Sequence, residues 1–251
     1  MLKSIIKVKT QDILKLDKKK IINYLENDKI VIIKKIISKK LCNSIIKYLT
    51  NISHNNIPNY FPIKIGSPNN FRVNLEDQRA MVKGSFYQFS FFPWNQDVFN
   101  FFKLFKNVFI FKNRINKLSD EEFFYPKSDK ECTIRLSFQF YPKKTGFLNQ
   151  HQDPVDYHQK YLMIMNLSKK GKDFQKGGLF SVIDKKKIMI DNFSEVGDLI
   201  FFKADIPHGV ELIDPKSSSN LLEDKGRWMA LFATNKLPKN NRIKNSVEKK
   251  G

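Results

Sequence analysis

The chain has 251 residues and a mass of 29.6 kDa, with 41% hydrophobic residues and 23 phenylalanines, which excludes a disordered chain and supplies enough apolar surface for a large core. Its two cysteines, Cys42 and Cys132, lie far apart in sequence and without CxxC spacing, so neither a disulfide framework nor a thiolate metal cluster is suggested. The formal charge of +20, carried almost wholly by lysine, matches the surface an AT-biased genome would encode; an anionic small substrate, an acidic partner protein, and nucleic-acid or membrane contact stay open beside that explanation.

In chain order, the N-terminus lacks a long apolar core with a small-residue cleavage site, and no apolar run approaches the roughly 20 residues needed to span a bilayer. A cytoplasmic protein is expected. From Gln11 to Asn51 apolar residues recur at helical spacing, predicting two short helices around a strand at Lys29 to Ile33. Residues 51–70, rich in Asn and Pro, read as loop. Asp97 to Lys117 reads as helix, with Phe101, Phe102, Phe105, Val108 and Phe109 forming a core-packing face.

From Cys132 the pattern changes to short strands separated by turns: 133–141, 160–167, 178–183, 198–202, 209–213 and 227–234, spaced as in an all-β barrel or sandwich. In the first of these, Ile134, Leu136, Phe138 and Phe140 form one face, and Arg135, Ser137, Gln139 and Tyr141 the other. That polar face is either solvated or lines a pocket. One domain is predicted over residues 1–237, with a helical N-terminal elaboration and a β core at about 132–234. Residues 238–251 read as a basic, frayed tail.

His151-Gln152-Asp153, followed by His208 in a GDLIFFKADIPHGV segment, offers two imidazoles and a carboxylate, the ligand set of a non-haem iron site with open positions. Of the other histidines, His158 reads mainly as a surface group in a loop and His54 as uninvolved. Residues 169–178 contain a Gly pair but lack the spacing of a phosphate-binding loop, so Gly177-Gly178 reads as a turn before a strand.

With Gly226-Arg227-Trp228 downstream, residues 135–234 resemble the Fe(II)- and 2-oxoglutarate-dependent oxygenases. The resemblance implies a double-stranded β-helix (a cupin-like jelly roll), mainly β with N-terminal and flanking helices. It implies that His151, Asp153 and His208 ligate Fe(II) and act as the catalytic set. Arg227 would pair with the distal carboxylate of 2-oxoglutarate, with Arg135 and Gln139 as further co-substrate candidates. O2 is the other co-substrate, and a C–H bond is hydroxylated as 2-oxoglutarate becomes succinate. The interval from His208 to Arg227 exceeds the roughly ten residues usual in the family, and residues 214–225 read as a loop insertion. Retention of Asp153 argues against the halogenating relatives.

Tyr141, Asn149 and His158 are the candidate substrate contacts, favouring a polar small molecule that lysine-rich loops could attract if it were carboxylated or phosphorylated. The nucleic-acid-demethylating branch carries a second arginine in an RxxxxxR pattern; after Arg227 this chain has Trp228-Met229-Ala230-Leu231-Phe232-Ala233, so that substrate is not expected. A cupin-like metal protein without oxygenase activity and a basic binding module are the alternatives.

Overall fold

The computed structural model describes residues 4–60, 62–218 and 224–249. Among the described residues, thirteen strands form one curled sheet that folds over itself. Its major half runs β1 (Ile5–Lys9), β2 (Ile30–Lys34), β10 (Leu199–Lys203), β7 (Tyr161–Asn166), β12 (Gly226–Lys236), β5 (Cys132–Pro142) and β4 (Gly84–Phe91), with β3 (Asn70–Leu75) also on β4. The minor half runs β6 (Phe147–Gln152), β11 (His208–Glu211), β8 (Gly178–Ile183) and β9 (Lys186–Met189). β4 joins the halves by pairing with both β5 and β6.

The two-residue period of the strands sorts side chains into two cores. On β5, Ile134, Leu136, Phe138 and Phe140 face outward with Met163 and Met165 of β7 and Trp228, Ala230 and Phe232 of β12. The helices cover this face. α1 (Lys18–Glu26) is capped by Asp17, whose side chain accepts from the Lys19 and Lys20 amides, and buries Ile21 and Leu25. α2 (Lys39–Asn55) is capped by Ser38 and buries Cys42, Ile45 and Leu49, one helical stripe. α3 (Phe101–Leu104) and α4 (Lys106–Ile115) add buried Phe101, Phe105, Val108 and Phe109, as the aromatic face predicts. The second core lies inside the barrel, where Leu162, Ile164, Ile200, Phe202 and Met229 meet Leu179 and Val210 of the minor half.

The six predicted strands are all present, each within about two residues of its expected bounds. The loop expected at residues 51–70 starts later, because α2 continues to Asn55, and it ends as β3 begins at Asn70. β1, β3, β4, β6 and β9 are additional. The expected frayed tail is a correction. Residues 237–249 fold back across the barrel: the Leu237 and Lys239 amides donate to the Glu131 and Asp129 carbonyls, and β13 (Val247–Glu248) pairs with β6 opposite Gln152 and His151. Ile243 and Asn240 are buried, which offsets the ordering cost of an otherwise polar segment. Among the described residues no helix is long and apolar enough to cross a membrane.

Candidate active site

β6 carries His151 and, one residue past its end, Asp153; β11 starts at His208, directly opposite His151. The pairing is not regular. Val210 is opposite Leu148, so two steps on β11 span three on β6, the signature of a bulge. The extra residue resets the alternation of β6. Leu148 and His151 both line the barrel cavity, while the Asn149 side chain turns away to donate to Glu248 Oε1 at 3.2 Å. Gly209 makes room for the bulge, since a Cβ there would sit 2.7 Å from the Leu148 carbonyl oxygen.

The three candidate ligands converge. His151 Nε2 is 3.9 Å from Asp153 Oδ1, and His208 Nε2 is 3.8 Å from Asp153 Oδ2. Both imidazoles are buried, at 6% and 5% exposure. Each is oriented by the carbonyl two residues earlier: His151 Nδ1 lies 2.9 Å from Asn149 O, and His208 Nδ1 lies 2.8 Å from Ile206 O. A carbonyl can only accept, so Nδ1 carries the proton and the Nε2 lone pair of each ring points at the shared space. Burial, with His151 beside it, holds the His208 imidazole below its ordinary pKa and therefore neutral. Two ring nitrogens and a carboxylate in this arrangement fit a divalent metal.

A cavity of about 360 Å³ opens on the triad, and the polar face of β5 lines it with Arg135, Gln139 and Tyr141. The Tyr141 hydroxyl donates to Gln139 Oε1 at 2.7 Å, and Gln139 Nε2 donates to Gln88 Oε1 at 3.3 Å. Burial raises Tyr141 well above the ordinary phenol range, so it stays protonated and can donate.

Arg227 points inward from β12, one strand period beyond cavity-lining Met229, but does not itself line the cavity; its guanidinium carbon is 5.9 Å from the Tyr141 ring. It is 1% exposed and already paired: Nε donates to Asp191 Oδ2 at 2.6 Å, and Nη2 reaches Asp191 Oδ1 and Asn166 Oδ1 at 3.2 Å. Its Nη1 is buried without a partner. Asp191 also accepts from the Leu179 amide, and a Cβ on Gly178 would lie 2.5 Å from Asp191 Oδ2. The Gly177-Gly178 turn thus gives Asp191 room to hold Arg227. Of the loop expected at 214–225, residues 219–223 lie outside the described residues.

Two expectations need correction. Asn149 does not line the cavity; it borders a separate groove on the outer side of the minor half, and only its backbone carbonyl serves the site. His158 is not a surface group. It is 3% exposed, lines the cavity and has an unpartnered Nδ1. Several lining residues carried no signal that sequence reasoning used: Tyr60, Arg72, Asn74 and Gln88 before and along β3 and β4, and Ile243 to Ser246. Ser246 Oγ donates to Asp153 Oδ1, steadying one candidate ligand from the far end of the chain. The alternating stretches Phe71-Arg72-Val73-Asn74 and Phe86-Tyr87-Gln88-Phe89 could have marked β3 and β4.

Burial, with the Lys112 ammonium adding, holds His158 down at about 4. The unfolded chain takes up a proton near pH 6.5 while the folded state does not until about 4, so stability is complete above 6.5 and is lost as pH falls toward 4. In the metal-free protein, His158→Gln is expected to lose less thermal stability than wild type between pH 7 and 4.5. Equal losses in a thermal-shift series would remove His158 as the cause.

No family model matches the chain, and no curated protein is a significant sequence match. Solved structures do match. A prolyl-4-hydroxylase from Pseudomonas putida superposes with a TM-score of 0.56 over 87% of this chain and 98% of that one, at 11% identity. A prolyl hydroxylase from Trichoplax adhaerens, solved with a peptide fragment of the hypoxia-inducible factor oxygen degradation domain, gives 0.52 over 88% and 90%, at 12% identity. The chain has the fold of these hydroxylases. The double-stranded β-helix expected from the sequence is therefore present, and within it the His-Asp-His cluster sits where β6 and β11 meet.

Proposed function

We propose that the chain is an Fe(II)- and 2-oxoglutarate-dependent dioxygenase that hydroxylates an unactivated C–H bond of a polar small molecule. The observation that carries this is the triad: two imidazoles with Nε2 aimed at a carboxylate, each fixed through Nδ1 by a backbone carbonyl. Asp153, held by Ser246, supplies the negative ligand. When bound, iron with 2-oxoglutarate and O2 supplies the oxidising power, and 2-oxoglutarate leaves as succinate and CO2.

The chain's own residues bind, orient and exclude water. The unpartnered Arg227 Nη1 is suited to one carboxylate oxygen of the co-substrate, and Asp191 keeps the guanidinium from swinging away. The Tyr141 hydroxyl, which stays protonated, can turn its single proton from Gln139 Oε1 toward a co-substrate beside Arg227. Leu162, Ile164, Met229 and Leu231 wall the cavity with apolar groups, restricting water around the reacting centre. Ile243 to Ser246 roof it.

The test is anaerobic loading with Fe(II) and 2-oxoglutarate followed by O2. Iron-dependent formation of succinate, even uncoupled from substrate, is the expected result. Metal binding with neither 2-oxoglutarate binding nor succinate would instead identify a cupin-like metal protein.

A further inference from the structure

We propose that Arg72 and Arg135 form a binding site for an anionic group, a carboxylate or a phosphate, on the substrate. This rests on the oxygenase reading only in calling the ligand a substrate; the anion site itself follows from the side chains.

Both guanidinium groups line the cavity, and both have a buried Nε without a partner. Arg72 donates from Nη2 to Gln88 Oε1 at 3.1 Å, a neutral acceptor, and lies over the Tyr60 ring with its guanidinium carbon 4.6 Å from the centroid. Arg79 covers the same ring at 4.4 Å, and it takes Asp77 for itself through a bidentate pair at 2.9 and 2.6 Å. Among the described residues no carboxylate pairs with Arg72 or Arg135 within 4.0 Å. Burial, with the charge of Arg72 adding, lowers Arg135 to about 9, while Asp153, which acts the other way, is committed to the triad. Both arginines are still charged at neutral pH. Two half-buried cations facing one cavity, each with a buried Nε and no counter-charge paired to it, are costly, and a bound anion removes that cost.

The anion is not the distal carboxylate assigned to Arg227. On β5 and β12, Arg135 is opposite Ala233, whereas Arg227 is opposite Tyr141. Six strand residues separate the two levels, roughly 20 Å of backbone at about 3.4 Å per residue. A five-carbon diacid anchored at Arg227 and the triad would leave Arg72 and Arg135 unsatisfied. The polar groups near them are also unspent: Asn74 Oδ1, Asn235 Oδ1 and His158 Nδ1 are buried, line the cavity and have no partner. They suit the N–H and O–H groups of a small molecule that carries the anion.

The test titrates inorganic phosphate and, separately, 2-oxoglutarate with Mn(II) into wild type, Arg72→Gln, Arg135→Gln, Arg135→Lys and Arg227→Gln by calorimetry. Phosphate affinity is expected to fall about tenfold or more in Arg72→Gln and Arg135→Gln and to stay within about twofold of wild type in Arg227→Gln. Arg135→Lys, which keeps the charge, should bind phosphate more tightly than Arg135→Gln. Arg227→Gln alone should lose 2-oxoglutarate. Absence of saturable phosphate binding to wild type, equal weakness of Arg135→Lys and Arg135→Gln, or a tenfold loss of 2-oxoglutarate in Arg135→Gln would overturn the proposal. If wild type binds phosphate as expected but not 2-oxoglutarate, the oxygenase reading fails and the anion site stands.

Discussion

Asp153→Ala and His208→Ala are expected to abolish iron-dependent succinate formation while leaving the circular dichroism spectrum of the folded protein intact. Groups that merely orient metal ligands typically contribute about 10- to 100-fold, so loss of a ligand should exceed about a hundredfold. Ser246→Ala provides the internal comparison. It removes the hydroxyl that donates to Asp153 Oδ1 and leaves all three ligands, so it should weaken metal affinity by about tenfold. Full activity of Asp153→Ala in a coupled succinate assay would rule out the triad as the metal site. A Ser246→Ala protein with wild-type metal affinity would restrict residues 243–248 to covering the cavity.

Asp191→Ala is expected to have the largest effect on stability, about 3 to 5 kcal/mol in urea unfolding, because it strands the Arg227 guanidinium without its counter-charge. The pair is deeply buried, at 1% and 3% side-chain exposure, and Asp191 also holds the Leu179 amide and the Asn166 side chain. Asp191→Ala combined with Arg227→Met should be more stable than Asp191→Ala alone, since no charge is then left unpaired. A double variant less stable than the single would show that Asp191 acts through the amide and Asn166 contacts instead. The same pair explains why the fork of Arg227 is only partly free to meet a ligand.

The half of the fold that carries the candidate site was legible because its strands obey a two-residue period and two of the candidate ligands, His151 and Asp153, keep a short spacing. Ile134 to Tyr141 showed both faces of β5, and the polar one does line the cavity. Asn149 misled because alternation places it with His151; one extra residue in β6 breaks that parity, and a bulge leaves no mark in composition. His158 misled because its neighbours Asp156, Gln159 and Lys160 are polar, although the turn they form tucks the ring inward. The folded-back segment 237–249 was illegible for a different reason. Its order comes from long-range contacts, such as Asn240 with the Tyr157 hydroxyl at 3.0 Å and Arg242 over the Tyr157 ring at 4.5 Å, which no local propensity encodes.

The bulge in β6 sets strand regularity against the placing of His151. Deleting one residue between Leu148 and His151 would give β6 and β11 an unbroken ladder, a locally better sheet by every rule of strand pairing. It would leave Leu148 and His151 on one face, two positions apart, but it would remove the bulged backbone that brings the Asn149 carbonyl to His151 Nδ1. The sheet therefore holds an irregularity that selection for stability alone would erase, and a redesign of this barrel that idealised its strands would first lose the carbonyl that orients one candidate ligand.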